Sequence, residues 1–184
     1  MNPYALALFT HFLGLVALFV GYGLEWAASS LLRRAATADQ ARAWLRIYRL
    51  SLPVSGPGLL VLIISGGYMA SLTGSMKQGW ISGSLLAILF ALGIGFVFVL
   101  PRIKRVRAAL PEGNVSLPDT TVSRLQDPML VTLIRVRFLL ALGIVYLMTA
   151  KPELLSTSLF ILLAAIVVGL LCAAGAWTSR PAKA

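Results

Sequence analysis

Apolar residues along this chain fall into five long runs, separated by short segments rich in charge, glycine or proline. The runs cover about 4–32, 53–73, 81–100, 128–150 and 154–177, and each has the roughly 20 residues that a helix needs to cross a bilayer. Unlike a half-buried strand, none alternates apolar and polar positions. The pattern predicts an all-α, polytopic transmembrane helix bundle of five spans, forming a single domain over 1–184.

The segments between the runs refine this picture. After Arg33 and Arg34, Thr37 stands three residues before Gln40, the spacing of a capping box, and predicts a short helix over about 37–50. Its apolar stripe is Ala41, Trp44, Leu45 and Tyr48, and its basic stripe is Arg42, Arg46 and Arg49. Such a helix suits the headgroup plane, with aromatics facing inward and arginines facing anionic phosphates. Pro53 and Pro57 fit the first turn of the second span, where a missing N–H costs little. Pro111, Gly113 and Pro118 interrupt the connection over 101–127, which predicts a cytoplasmic loop. Asp127 before Pro128 reads as the N-cap of the fourth span.

Composition agrees with the runs. Charged residues make up 12% of the chain and hydrophobic ones 59%, against about 25% charged in ordinary soluble domains. The net charge of +10 points to membrane orientation and not to nucleic acid, because the basic residues lie between apolar spans. Five spans place 14 of the 16 lysines and arginines on one side; only Lys77 and Lys151 fall on the other. The positive-inside rule then predicts an outside N-terminus and a cytoplasmic C-terminus, as expected of a multi-pass protein of the bacterial inner membrane. Tyr4, Tyr68, Trp80 and Tyr146 fall near the outer interface, and Trp26, Trp44 and Trp177 near the inner one. The single Cys172 excludes an intramolecular disulfide. "MNPYALALFT" lacks the basic start of a signal peptide and reads as the beginning of a retained helix.

Few residues offer chemistry. His11, the sole histidine, shares a helical face with Leu15, Leu18, Tyr22 and Glu25. Small residues Gly14, Ala17, Gly21 and Ala28 run beside that face and would admit a close neighbour. Both polar groups are therefore expected to point into the bundle. They stand about 21 Å apart along the helix axis, too far for an acid–base pair. Glu25 predicts an ion pair with Arg135 or Arg137 of the fourth span, whose side chains lie about 200° apart, so that one of them faces it. A proton path through Glu25 is the sharper alternative. For His11 the choices are a hydrogen bond inside the bundle or axial ligation of a b-type haem. Tyr68, Met69 and Lys151 would then be the nearby groups at matching depth. One histidine excludes a multi-histidine zinc or copper site. The "NVS" sequon at Asn114 falls in the expected cytoplasmic loop and is discounted.

His11 followed by "GLVALFVGYGLEW", the segment "ARAWLRIYRL" and the closing "RVRFLLALGIVYLMTAKP" together resemble an uncharacterised family of predicted bacterial integral membrane proteins. That family, a domain of unknown function, is similar in pattern to the CopD and HemJ-like group. In the HemJ-type oxidases a first-helix histidine and a lysine on another helix serve haem or porphyrin. The resemblance carries His11 to the first role and Lys151 loosely to the second, since Lys151 lies in a turn past the fourth span. Three function classes stand open: a non-enzymatic accessory or structural subunit, a haem- or porphyrin-binding protein, and a small permease or channel using Glu25 and His11. Expected partners are the bilayer, anionic headgroups, and either a second copy or a larger membrane complex.

Overall fold

A computed structural model describes residues 2–113 and 115–178, and among these it contains seven α-helices and no strand. Helix α1 spans Pro3–Leu32, α2 Ala38–Leu72, α3 Gly79–Gly93, α4 Leu100–Ala108, α5 Asp119–Leu125, α6 Pro128–Ala150 and α7 Leu155–Thr178. A π-type turn over Ile94–Val99 joins α3 to α4 without a break. Five rods in this set are long and apolar enough to cross a membrane: 3–32, 38–72, 79–108, 119–150 and 155–178. The chain is an integral membrane helix bundle. Its lipid-sized belt of exposed side chains includes Phe9, Phe12, Ile64, Leu89, Phe160 and Leu171.

The helix caps form as the residue types dictate. Thr37 accepts from the Gln40 backbone N–H, while Gln40 Oε1 accepts from Ala36 N–H, one residue before the cap. Asp127 accepts from Met129 N–H at 2.9 Å and also meets Arg102 Nε at 3.2 Å. Lys151 ends α6 in the left-handed region at φ 46°. The turn beyond it returns Glu153 O and Pro152 O to the first N–H groups of α3, those of Gly79 and Trp80.

Helices α1 and α2 form an antiparallel hairpin. The buried positions of α1 include His11, Gly14, Leu18, Gly21, Glu25, Ala28 and Leu32, an alternating spacing of three and four. Those of α2 include Ser51, Ser55, Gly58, Leu62 and Ser65 in the same rhythm. This is the seam of a left-handed helix pair, here built from small residues. A Cβ added at Gly14 would lie 2.8 Å from Gly58 O, and one at Gly21 would lie 2.5 Å from Ser55 Cβ. The backbones touch because these positions carry no side chain.

Helix α6 is the central element, with 67% of its most apolar window buried against 22–33% for the other four rods. It packs on α1, α3 and α7, which surround it. At the basic end, Leu32, Ala41, Leu45, Ile103, Val106, Leu125 and Leu130 form one core that unites α1, α2, α4, α5 and α6.

Three expectations are corrected. The helix expected over 37–50 and the span expected from 53 are one continuous helix, with Pro53 and Pro57 in its interior. Transmembrane helices tolerate such prolines where side chains and neighbouring helices serve the freed backbone. The stripe of Ala41 and Leu45, with Trp44 and Tyr48 beside it, covers α4 and α5 and so packs on protein instead of lying on lipid. The connection over 101–127 is largely helical: α4 reaches Ala108 and α5 adds nearly two turns. Pro101 explains the π turn preceding α4. It lacks an N–H and its ring crowds the carbonyl four residues back, and a widened turn relieves both.

Candidate functional site

The polar centre of the bundle lies toward its basic end, where α1, α2, α3 and α6 meet. Glu25 of α1 is 6% exposed and Arg137 of α6 is 8% exposed. Arg137 Nη1 donates to Glu25 Oε2 at 2.7 Å. Ser51 Oγ of α2 donates to the other carboxylate oxygen at 3.2 Å. The Arg137 guanidinium lies 4.8 Å from the centre of the Tyr22 ring, within cation–π range. On its α3 side it rests against Gly95, where an added Cβ would sit 3.1 Å from Cζ. Arg137 thus touches two of the other spans and, through Glu25, is linked to Ser51 of a third.

The second arginine goes elsewhere. Arg135 stacks over Trp26 at 5.2 Å and donates to the carbonyl of Cys172 in α7. Arg33 donates to Ala176 O at 3.1 Å, one turn further along, and Trp177 Nε1 donates to Thr132 Oγ1 at 3.0 Å. Cationic donors near the carbonyl end of α7 complement its dipole.

His11 occupies the opposite end of the α1–α2 seam, 9% exposed. Its Nδ1 lies 3.0 Å from Ser65 Oγ, and Ser65 Oγ lies 2.5 Å from Val61 O. The hydroxyl proton goes to the carbonyl, so Nδ1–H donates to Ser65. The ring edge rests on Gly66, where a Cβ would meet Cε1 at 3.1 Å. A cleft of about 430 Å³ opens beside this pair between α1 and α2, and Thr10, Ser65 and Tyr68 are its polar walls. His11 is not among its walls.

Among the described residues the His11 side chain hydrogen-bonds Ser65, and no hydrogen bond joins it to Tyr68 or Lys151. Tyr68 is exposed at the cleft. Met69 is half-buried, and its carbonyl bonds Thr73. Lys151 is exposed at the end of α6. Among the described residues no group of three or more His, Cys, Asp or Glu side chains comes together. Asn114, Arg180 and Lys183 lie outside the described residues.

The basic stripe of α2 divides as well. Arg42 donates to Pro111 O at 2.6 Å, to Gly113 O and to Asp39 at 2.7 Å, clasping the irregular segment to α2. Arg46 and Arg49 of the same stripe are exposed. Sequence reasoning missed the hydrogen-bonding roles of Ser51 and Ser65. The heptad spacing of Ser51, Ser55, Gly58, Leu62 and Ser65 was the available signal for the two serines.

No curated protein and no solved structure matches the chain. A family model described as "Predicted integral membrane protein (DUF2269)" matches residues 5–152, a stretch holding His11, Glu25, Ser51, Ser65 and Arg137. Four helical rods and the polar centre between them lie within that match, and the chain belongs to this family of predicted integral membrane proteins.

Proposed function

We propose that the chain is a non-enzymatic accessory or structural subunit of the bacterial inner membrane, with its N-terminus outside and its C-terminus in the cytoplasm. The supporting observation is that the ionisable groups inside the bundle are engaged by other spans. Glu25 holds Arg137 and Ser51, Arg135 holds Cys172 O and Trp26, and His11 holds Ser65. Charges at such depth are costly, and pairing them internally fixes the rotation of each helix. Orientation rests on the 14-to-2 division of basic residues, and Arg46 and Arg49 are the groups assigned to anionic headgroups. A reporter after Lys183 is then active in the cytoplasm and one inserted at Ser75 reports the outside; both on one side refutes the topology. Cross-linking in native membranes, followed by mass measurement, yields a species heavier than the protomer. A protomer alone refutes the subunit role.

A second reading has one observation in its favour. Metal-binding histidines commonly anchor one ring nitrogen and leave the other free, the arrangement of His11 on Ser65. Under this reading the protein purified from haem-replete cells shows a Soret band that His11→Ala abolishes. A colourless wild-type protein eliminates it.

A further inference from the structure

We propose that the cleft between α1 and α2 beside His11 holds one acyl chain of a membrane glycerolipid, and that the Tyr68 hydroxyl donates to the ester carbonyl of that lipid. The site goes beyond the subunit reading and does not depend on it. The two backbones touch at Gly14 and Gly58, and the His11–Ser65 pair closes the seam further along. The cleft of about 430 Å³ lies beside that pair, walled by Leu6, Ala7 and Thr10 of α1 and by Val61, Ile64 and Ser65 of α2. Short side chains at Ala7, Thr10 and Ser65 leave the space. Leu6 and Ile64, 51% and 72% exposed, form rims toward the bilayer. Pro3 and Thr10, both in the walls, stand about 10 Å apart along the helix axis. The cleft thus runs with the helices, as the surrounding acyl chains do.

Hydrogen-bond accounting decides the chemistry of the occupant. Thr10 Oγ1 donates to Leu6 O at 2.8 Å, and Ser65 Oγ donates to Val61 O. Ser65 also accepts from His11 Nδ1 at 3.0 Å. Both of these hydroxyl protons are committed within the hairpin, and no wall residue carries a charge. Bound water needs two to four polar partners, which such walls do not supply. An empty apolar void forfeits the dispersion contacts of its lining, and the solvent around a membrane span is hydrocarbon. Tyr68 is the exception among the walls. Its side chain is 44% exposed, and its hydroxyl makes no hydrogen bond among the described residues. It stands one turn before the end of α2 at Leu72, the level at which tyrosines meet lipid headgroups. An acyl chain headed by an ester carbonyl matches both features, apolar walls and one free donor. A quinone ring carries carbonyls at opposite edges and would leave one of them without a donor.

Photolabelling of the full chain in nanodiscs tests the site, with phosphatidylcholine carrying a diazirine midway along one acyl chain as the probe. Mass spectrometry locates the labelled residues. Leu163 of α7 is the comparison for Ile64, since both are exposed aliphatic side chains two turns or more from the helix end on that side. Labelling of Ala7, Val61 and Ile64 is expected to exceed that of Leu163 several-fold. Ala7→Trp fills the cleft and is expected to bring wall labelling down to the Leu163 level. Tyr68→Phe removes the free donor and is expected to lower it part of the way. Equal labelling of the walls and Leu163 in the wild type overturns the proposal without any variant. So does wall labelling that a folded Ala7→Trp variant leaves unchanged. Displacement of the label by a stoichiometric prenylated quinone overturns it as well, as do cross-links between two copies of the chain from a photoreactive residue placed at Ala7.

Discussion

Glu25 and Arg137 are separated by 112 residues of sequence, and their side chains meet at 2.7 Å inside the bundle. The contact joins the first and fourth spans at a point where neither charge has ready access to water. Removing one member strands the other, which for a well-desolvated pair costs about 3–5 kcal/mol. Thermal unfolding in detergent is therefore expected to show large losses for Glu25→Gln and for Arg137→Gln, with the double variant little worse than either. Arg135→Gln is expected to add to Glu25→Gln in full. Additive losses for Arg137 and Glu25 would show that the two are not energetically coupled.

The Gly95 contact makes a separate claim about the same arginine. A methyl group at this position meets the guanidinium at 3.1 Å, and overpacking of this kind costs about 1–3 kcal/mol. Gly95→Ala is expected to destabilise the wild type and to matter much less in an Arg137→Gln background. Equal effects in both backgrounds would place the crowding somewhere other than Arg137.

Two glycines of α1 separate backbone contact from mere helix propensity. Gly21 leaves no room for a Cβ against Ser55, while nothing lies within 4 Å of the position a Cβ would take at Gly23. Gly21→Ala is expected to force α1 and α2 apart and lower stability by about 1–3 kcal/mol. Gly23→Ala is expected to be neutral or slightly stabilising, since alanine favours the helix. Similar losses at both sites would count against the hairpin seam.

At the other end of that seam, Ser65→Ala removes the acceptor of the His11 Nδ1–H. The stranded donor costs about 1–3 kcal/mol. Combining Ser65→Ala with His11→Leu is expected to recover part of that loss, because no donor then remains to be satisfied. A double variant that falls by the sum of the two single losses would argue against the bond.

The five spans and the Thr37 and Asp127 caps were legible because each depends on residues close in sequence. Thr37 with Gln40 and Asp127 with Pro128 announce helix starts, and apolar runs of this length have few other fates. Which arginine meets Glu25 was not legible. Residues 135 and 137 point to different sides of one helix, and the rotation of α6 is set by packing of Gly143 on Ala165 and of Gly169 on Val136. The separate helix over 37–50 failed for a related reason. Its amphipathic face fits a headgroup plane as well as it fits Ile103, Val106 and Leu125, which are distant in sequence and supply the partner.

The order in which the chain is made gives the Ser51 hydroxyl a second task. At about 5–20 residues per second, synthesis leaves roughly 5–20 seconds between the appearance of Glu25 and that of Arg137. Ser51 arrives after only 26 residues and belongs to the helix that folds back directly onto α1. A hairpin that closes before the fourth span emerges is expected to hold this carboxylate on a neutral donor, as the finished bundle does. Ser51 thus acts as a placeholder, keeping Glu25 turned inward until the fourth span delivers the countercharge.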